Sequence, residues 1–307
     1  MKIEALRLKK IYGNTRALED VSFSFSSSEI VGFIGPNGAG KTTTMRLMAT
    51  LDEPTAGDVL FDGISVVEAP ERIRSLVGYV PDTLPTHRDM TVRDYLDFFA
   101  RAYGIRVPRR RTVIETVEEF TGLTELREKF LDALSKGMKQ RVSLARSLLH
   151  DPEVLIMDEP AAALDPRARI ELRELLRTLS AQGKAILISS HILSELAEVC
   201  HSTVLIARGR ILKTGELNDA GAPAHHTVVI RVKGGIEELC RELAQMPEID
   251  SVRIVGNEVA AEIPGPEEVT GEILTALVRR GFRVLEFRQQ RTRLEEMFMR
   301  LTKGEGE

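Results

Sequence analysis

The sequence predicts an α/β fold built on a parallel sheet, followed by a smaller α+β unit. Three observations predict it. Ile30-Val31-Gly32-Phe33-Ile34, Val154-Leu155-Ile156-Met157 and Ala185-Ile186-Leu187-Ile188 are short apolar runs, which suit strands buried on both faces. An amphipathic helix pattern from about Pro166 to Ala181 lies between the last two, and buried strands alternating with helices indicate a parallel sheet. Around residue 220 the composition changes, and strand and helix patterns then follow in the order βαββαβ.

Taken in order, Val21, Phe23 and Phe25 alternate with Ser22, Ser24 and Ser26, the pattern of a strand with one buried face. The Ile30–Ile34 run ends in a glycine-rich turn, and Thr42 to Leu51 reads as a helix. Thr91 is the N-cap of a helix running to about Tyr103, with Gly104 as its stop. Another helix follows from about Thr112 to Phe120, and Pro166 sits in the first turn of its own helix. Asn218-Asp219-Ala220-Gly221-Ala222-Pro223 is a linker by its breakers. Beyond it come strand Thr227–Val232, helix Ile236–Gln245, strands Ser251–Val255 and Glu258–Ile263, helix Glu267–Arg280 and strand Arg283–Arg288. That order is the split βαβ of ferredoxin-like folds. A last helix, Leu294 to Leu301, closes the chain. Val228, Ile230 and Val232 alternate along the first strand of this unit, which suggests an apolar sheet face open for contact between two such units.

A length of 307 residues fits two domains. The 42 basic and 46 acidic residues give a net charge of -4, and with a pI near 6.0 there is no whole-chain case for a nucleic-acid partner. Charges are spread so evenly that no run approaches the ~20 apolar residues of a membrane-spanning helix. The start, MKIEALRLKKIYG, lacks the apolar core of a signal peptide. Cys200 and Cys240 offer neither a disulfide framework nor a zinc spacing.

Two segments carry chemistry. Gly35-Pro36-Asn37-Gly38-Ala39-Gly40-Lys41-Thr42-Thr43 fits G-x-x-x-x-G-K-[ST]. Its glycines let backbone N–H groups turn around phosphate oxygens, and the next helix presents its positive end. Lys41 is placed for the β- and γ-phosphates and the Thr42 hydroxyl for Mg²⁺. Average residue usage puts the pattern in about 1% of chains this long by chance, and its position after a strand and before a helix lowers that further. In the second segment the Val154–Met157 strand ends in Asp158-Glu159-Pro160. Two adjacent carboxylates there are unfavourable without a cation or substrate. Asp158 suits Mg²⁺ and Glu159 an attacking water.

Leu134-Ser135-Lys136-Gly137-Met138-Lys139-Gln140-Arg141, upstream of that strand, resembles the signature motif of the ATP-binding cassette (ABC) ATPases, commonly LSGGQ. Ser190-His191 resembles the switch histidine, Ala163-Leu164-Asp165 the D-loop, and Tyr12 the aromatic that stacks on adenine. The resemblance spans about residues 2–215. It implies a P-loop ABC cassette over 1–217 with a helical subdomain at about 83–150, a linker over 218–226 and a C-terminal accessory or dimerisation domain over 227–307. It also implies ATP and Mg²⁺ as cofactors. Two cassettes would meet head to tail, each ATP touching the phosphate loop of one and Ser135, Lys136, Gly137 and Met138 of the other. Glu159 would be the general base, with Lys41 and His191 on the γ-phosphate.

The sequence departs from the family pattern at two points. The signature has Lys136 for the first Gly and Met138 for Gln, and Gly78-Tyr79-Val80-Pro81-Asp82 has Asp82 where Gln is usual. Asp82 keeps an oxygen ligand for Mg²⁺ but adds a negative charge. Both features, and the terminal Arg293-Leu-Glu-Glu-Met-Phe-Met-Arg-Leu-Thr302, are similar to single-cassette subunits that export drugs, polysaccharides or sodium. The implied setting is the cytoplasmic face of the cell membrane, on an integral-membrane permease encoded separately. The alternative is a soluble ABC ATPase acting on a ribosome or DNA complex; one cassette and no heptad insertion weigh against it.

Overall fold

The computed structural model describes residues 1–84, 89–162, 164–191, 199–216, 225–264 and 268–291. The chain divides into two compact units, Met1–Leu217 and Asn218–Glu307. The first contains β1 (Lys2–Tyr12), β2 (Thr15–Ser26), β3 (Ile30–Ile34), α1 (Lys41–Met48), β4 (Ala56–Phe61), β5 (Ile64–Ser65), α2 (Pro70–Leu76) and β6 (Val77–Val80). It continues with α3 (Val92–Ala102), α4 (Arg109–Phe120), α5 (Lys136–Leu148), β7 (Val154–Met157), α6 (Pro166–Ala181), β8 (Ala185–Ser190), β9 (Ser202–Ala207) and β10 (Arg210–Glu216).

The sheet runs β5-β4-β1-β2-β10-β9-β3-β8-β7-β6. The five strands β9-β3-β8-β7-β6 are parallel, as the apolar runs predict. The sheet as a whole is mixed, however, which corrects the parallel-sheet expectation. β5, β4, β1 and β2 pair antiparallel, and a single Arg210–Asp20 pair joins them to β10. β1 escapes a period-two reading because it is irregular. Ile3 and Ala5 point into the core, but the next buried residue is Leu8, three positions on. The pairing register shifts there, and Arg7 between them has φ 47°, the signature of a bulge that resets which face is buried.

The stretch between β6 and β7 is helical and anchors at several points. Thr91 caps α3 through a reciprocal pair with Asp94, as its sequence position predicts. α4 starts at Arg109, three residues before the expected Thr112. Arg109–Arg111 therefore opens a helix, with Arg110 on Asp97 at 2.7 Å and Arg111 on Glu115 at 2.9 Å. Arg146 of α5 donates to the Tyr79 carbonyl at 2.7 Å, and its guanidinium lies over the Phe99 ring. His150, just past α5, stacks on Tyr103 with centroids 4.2 Å apart and places Nε2 3.1 Å from the Val77 carbonyl. These contacts fix α5, and with it Ser135–Met138, relative to β6.

The second unit has β11 (His225–Val232), α7 (Ile236–Leu243), β12 (Ser251–Val255), β13 (Glu258–Pro264), α8 (Glu268–Arg279) and β14 (Val284–Arg291). Its sheet is antiparallel in the order β12-β13-β11-β14, a split-βαβ arrangement. β11 begins two residues before the expected Thr227, inside the expected linker. The expected open apolar face is corrected. Val228 and Ile230 are fully buried in the core with Leu239, Leu243, Ile273 and Leu277 of the helices. The opposite face carries ion pairs, Arg231 to Glu286 and Arg288 to Glu258, each at 2.8 Å. Thr227, Val229 and Ala260 on that second face are buried as well, so the alternation in β11 marks no open apolar side. The expected terminal helix Leu294–Leu301, the Asn218–Pro223 linker and Ala163 lie outside the described residues.

His150 predicts a pH dependence. Burial holds its imidazole below the usual histidine range, and Nδ1 has no partner. As pH falls below about 6.5 the unfolded chain takes up a proton that the folded chain resists, so this contribution to stability is present above that pH and lost below it. The melting temperature of the wild type should fall between pH 7 and 5 more steeply than that of His150→Phe, which keeps the ring stack. Equal slopes would rule out this origin.

Candidate active site

Three neighbouring strands, β3, β8 and β7, end on the same edge of the sheet, where ligands of open α/β sheets bind. The end of β3 leads through Gly35–Gly40 into α1. Two glycines are required by space as well as by conformation. A Cβ on Gly35 would sit 2.3 Å from the Ile206 carbonyl, and Gly40 has φ 107° with Leu18 in the way of any side chain. α1 starts on Gly40 without a side-chain cap, so its first N–H groups and positive end are available to an anion. Thr42 is exposed there and Thr43 half-buried.

Lys41 is almost wholly buried. Its Nζ donates to the Gly35 carbonyl at 2.6 Å and the Pro36 carbonyl at 3.3 Å. It also lies 3.3 Å from Glu159 Oε1, an ion pair without hydrogen-bond alignment that leaves that oxygen otherwise unpartnered. The loop lysine and the candidate general base are therefore in contact.

Asp158 and Glu159 leave β7 in different directions. Glu159 has φ 47°, an uncommon conformation for a residue other than glycine that marks functional sites. Ser189 at the end of β8 holds both residues. Its hydroxyl donates to Asp158 Oδ1 at 2.7 Å and accepts from the Glu159 N–H at 2.8 Å. Asp158 is buried and its own N–H donates to the Val80 carbonyl at 2.8 Å, tying the carboxylates to β6. His191 Nδ1 is 2.8 Å from Glu159 Oε2. Lys41, Glu159 and His191 thus form one chain of contacts, with Asp158 joined to it through Ser189. Sequence reasoning missed Ser189; its signal is a hydroxyl that interrupts an apolar strand two residues before the histidine.

The other expected residues are held in separate groups. Tyr12 is half-exposed, and its hydroxyl donates to Asp52, which also takes Lys10 at 2.6 Å. Lys10 Nζ sits 4.8 Å from the centre of the Tyr12 ring. Burial and the Asp52 carboxylate raise the Tyr12 pKa, whereas Lys10 and then Tyr12 hold Asp52 below the usual range. Thr43 and Arg46 act on the Tyr12 hydroxyl from α1, which puts the ring beside the phosphate-loop helix. Neither Lys10 nor Asp52 stood out in the sequence. Ser135 caps α5, accepting from the Met138 N–H at 3.3 Å. Gly137 fits under Leu164, since a Cβ would come within 3.3 Å of its methyl. Asp165 caps α6 by accepting from the Ala168 N–H at 2.8 Å. Asp82 is half-exposed and lies 3.8 Å from Lys136 Nζ. Among the described residues no three His, Cys, Asp or Glu side chains converge as a metal cage.

Comparison with known proteins places this geometry. The sequence pattern of the family described as ABC transporter matches residues 18–162. The chain is 34% identical over 296 residues to the uncharacterized ABC transporter ATP-binding protein YxlF of Bacillus subtilis, covering 96% of this chain and 97% of that one. It is 35% identical over 301 residues to the Nod factor export ATP-binding protein I of Paraburkholderia xenovorans, covering 98% and 96%. A solved ATP-binding subunit of an ABC transporter superposes with a TM-score of 0.65 at 33% identity, over 71% of this chain and 91% of that one. A dimeric bacterial ABC transporter cassette at 24% identity and TM-score 0.65, over 70% and 98%, shares the fold. With the phosphate loop, the Asp158-Glu159 strand end and His191 gathered at one sheet edge, the chain belongs to the ABC transporter family, among its ATP-binding, ATPase subunits.

Proposed function

We propose that the chain binds and hydrolyses MgATP in a dimer of cassettes and thereby powers an exporter whose membrane permease is a separate chain. The observation that carries this reading is the contact chain Lys41–Glu159–His191 at the ends of three adjacent strands. Relatives named for Nod factor export support the direction of transport. No described helix is long and apolar enough to cross a membrane. The chain would meet the permease at the cytoplasmic face.

The ATP phosphates would lie against Gly35–Gly40 and the first turn of α1. Their negative charge draws Lys41 from the Gly35 and Pro36 carbonyls, and this releases Glu159 Oε1. Glu159 then accepts a proton from water as the water oxygen attacks the γ-phosphorus. The bond to the β–γ bridging oxygen breaks, giving ADP and phosphate. His191 holds Glu159 Oε2 and so fixes the direction of the free oxygen. Tyr12 lies beside α1 for the adenine, and Ser135 and Gly137 would approach the γ-phosphate of the opposite cassette, with Asp165 at the seam. The donor set fits Mg²⁺: Thr42 offers a hydroxyl and Asp158 a buried carboxylate, and this cation is usually held by one or two carboxylates together with phosphates and water. When bound, Mg²⁺ supplies charge neutralisation on the phosphates.

Lys41→Ala should abolish MgATP binding, measured by titration with a labelled nucleotide; unchanged affinity would exclude this loop as the site. Glu159→Gln should keep binding, lower turnover by ~10²–10⁴, and accumulate ATP-bound dimers on size exclusion. Hydrolysis at the wild-type rate would remove Glu159 as the base. Ser189→Ala removes a hydrogen bond to a charged group, an effect of ~1.5–3 kcal/mol. It should cut turnover tenfold or more by about that loss, with ATP affinity little changed. A wild-type rate in steady-state assays would show that Ser189 does not position the carboxylates.

A further inference from the structure

Two of the positions at which the sequence departs from the ABC pattern it resembles, Asp82 and Lys136, face each other in one chain. Asp82 follows β6 and Lys136 opens α5 directly after its cap, Ser135. Their charged atoms are 3.8 Å apart, and each side chain is 50% exposed. We propose that Asp82 and Lys136 form a compensated charge pair that MgATP breaks in the cassette dimer, Asp82 turning to the nucleotide on its own phosphate loop and Lys136 to that of the opposite cassette. The proposal rests on the MgATP reading above.

Charge is the first reason. A carboxylate at position 82 adds negative potential near Asp158 and Glu159, where phosphates must enter. Lys136 cancels it within the same chain. Each change alone would leave an unbalanced charge near the nucleotide, whereas the two together are neutral, like the Gln and Gly they replace.

The strength of the pair is the second. α5 is already fixed to the core by Arg146 on the Tyr79 carbonyl and by Arg141 on Glu171 of α6. The Asp82–Lys136 pair is not needed to hold it. A half-exposed pair at this separation is among the weakest ionic contacts. A phosphate group competes well for a lysine, and a divalent cation competes well for an aspartate. The pair is therefore strong enough to neutralise Asp82 at rest and weak enough to yield to nucleotide.

Two measurements on the full chain test this. Carbodiimide condenses a carboxylate with a neighbouring amine, with loss of water, and mass spectrometry locates the amide. Nucleotide-free protein should give an Asp82–Lys136 cross-link, and MgATP should suppress it several-fold in Glu159→Gln. No cross-link without nucleotide overturns the pair, and a cross-link indifferent to MgATP overturns its release. The second measurement is a cycle of Asp82→Gln, Lys136→Gly and the double variant. Each single change should lower kcat/KM for MgATP and shift its Mg²⁺ dependence, and the double variant should recover to within about threefold of wild type, a coupling in the range seen for contacting residues. Additive losses overturn the compensation. A wild type that neither binds nor hydrolyses MgATP would instead defeat the functional reading, while the nucleotide-free cross-link still decides the pair.

Discussion

Two carboxylates at the end of a buried strand constrain the whole site. Desolvation opposes placing Asp158 and Glu159 side by side, and the fold answers by separating and satisfying them. The left-handed backbone at Glu159 turns it away from Asp158. The Ser189 hydroxyl bridges the two residues, and Lys41 and His191 each take one oxygen of Glu159. Lys41 follows β3, whereas Ser189 and His191 both come from the end of β8, so the β3, β7 and β8 ends must be adjacent for the carboxylates to be tolerated at all.

The same requirement explains why the parallel strands are so apolar. β3, β7 and β8 are buried almost without exception along their length. Their polar residues are confined to the end of the sheet, where they meet one another. A rigid sheet fixes the β3 and β7 ends from which the phosphate loop and Glu159 depart, and so holds Lys41 and Glu159 more precisely than loops alone could.

The contacts around α5 divide by strength. Arg146 and Arg141 bind it to the core and to α6 through partly buried groups. Asp82 and Lys136 meet at the surface with little to hold them. The first class positions the helix start permanently, and the second can respond to ligand charge.

How much was legible can be judged residue by residue. Glycines at 35 and 40, the lysine after them, the Asp158-Glu159 strand end, the Thr91 cap and the order of the C-terminal elements follow from local rules of conformation and periodicity, which neighbouring residues alone determine. β1 was not legible, because its bulge breaks the alternation on which strand reading depends. The direction of the β11 face was not legible either, since Val228 and Ile230 would alternate identically whether helices or a second chain covered them. Ser189 and Asp52 gained their roles only by juxtaposition. The sequence by itself therefore determined the chemistry: a phosphate loop, paired carboxylates and a histidine. Which side chains satisfy one another was decided by the tertiary structure, because strands distant in the chain lie side by side, as Ile30 does with Ile186, and that pairing brings the loop after β3 to the residues that end β7 and β8.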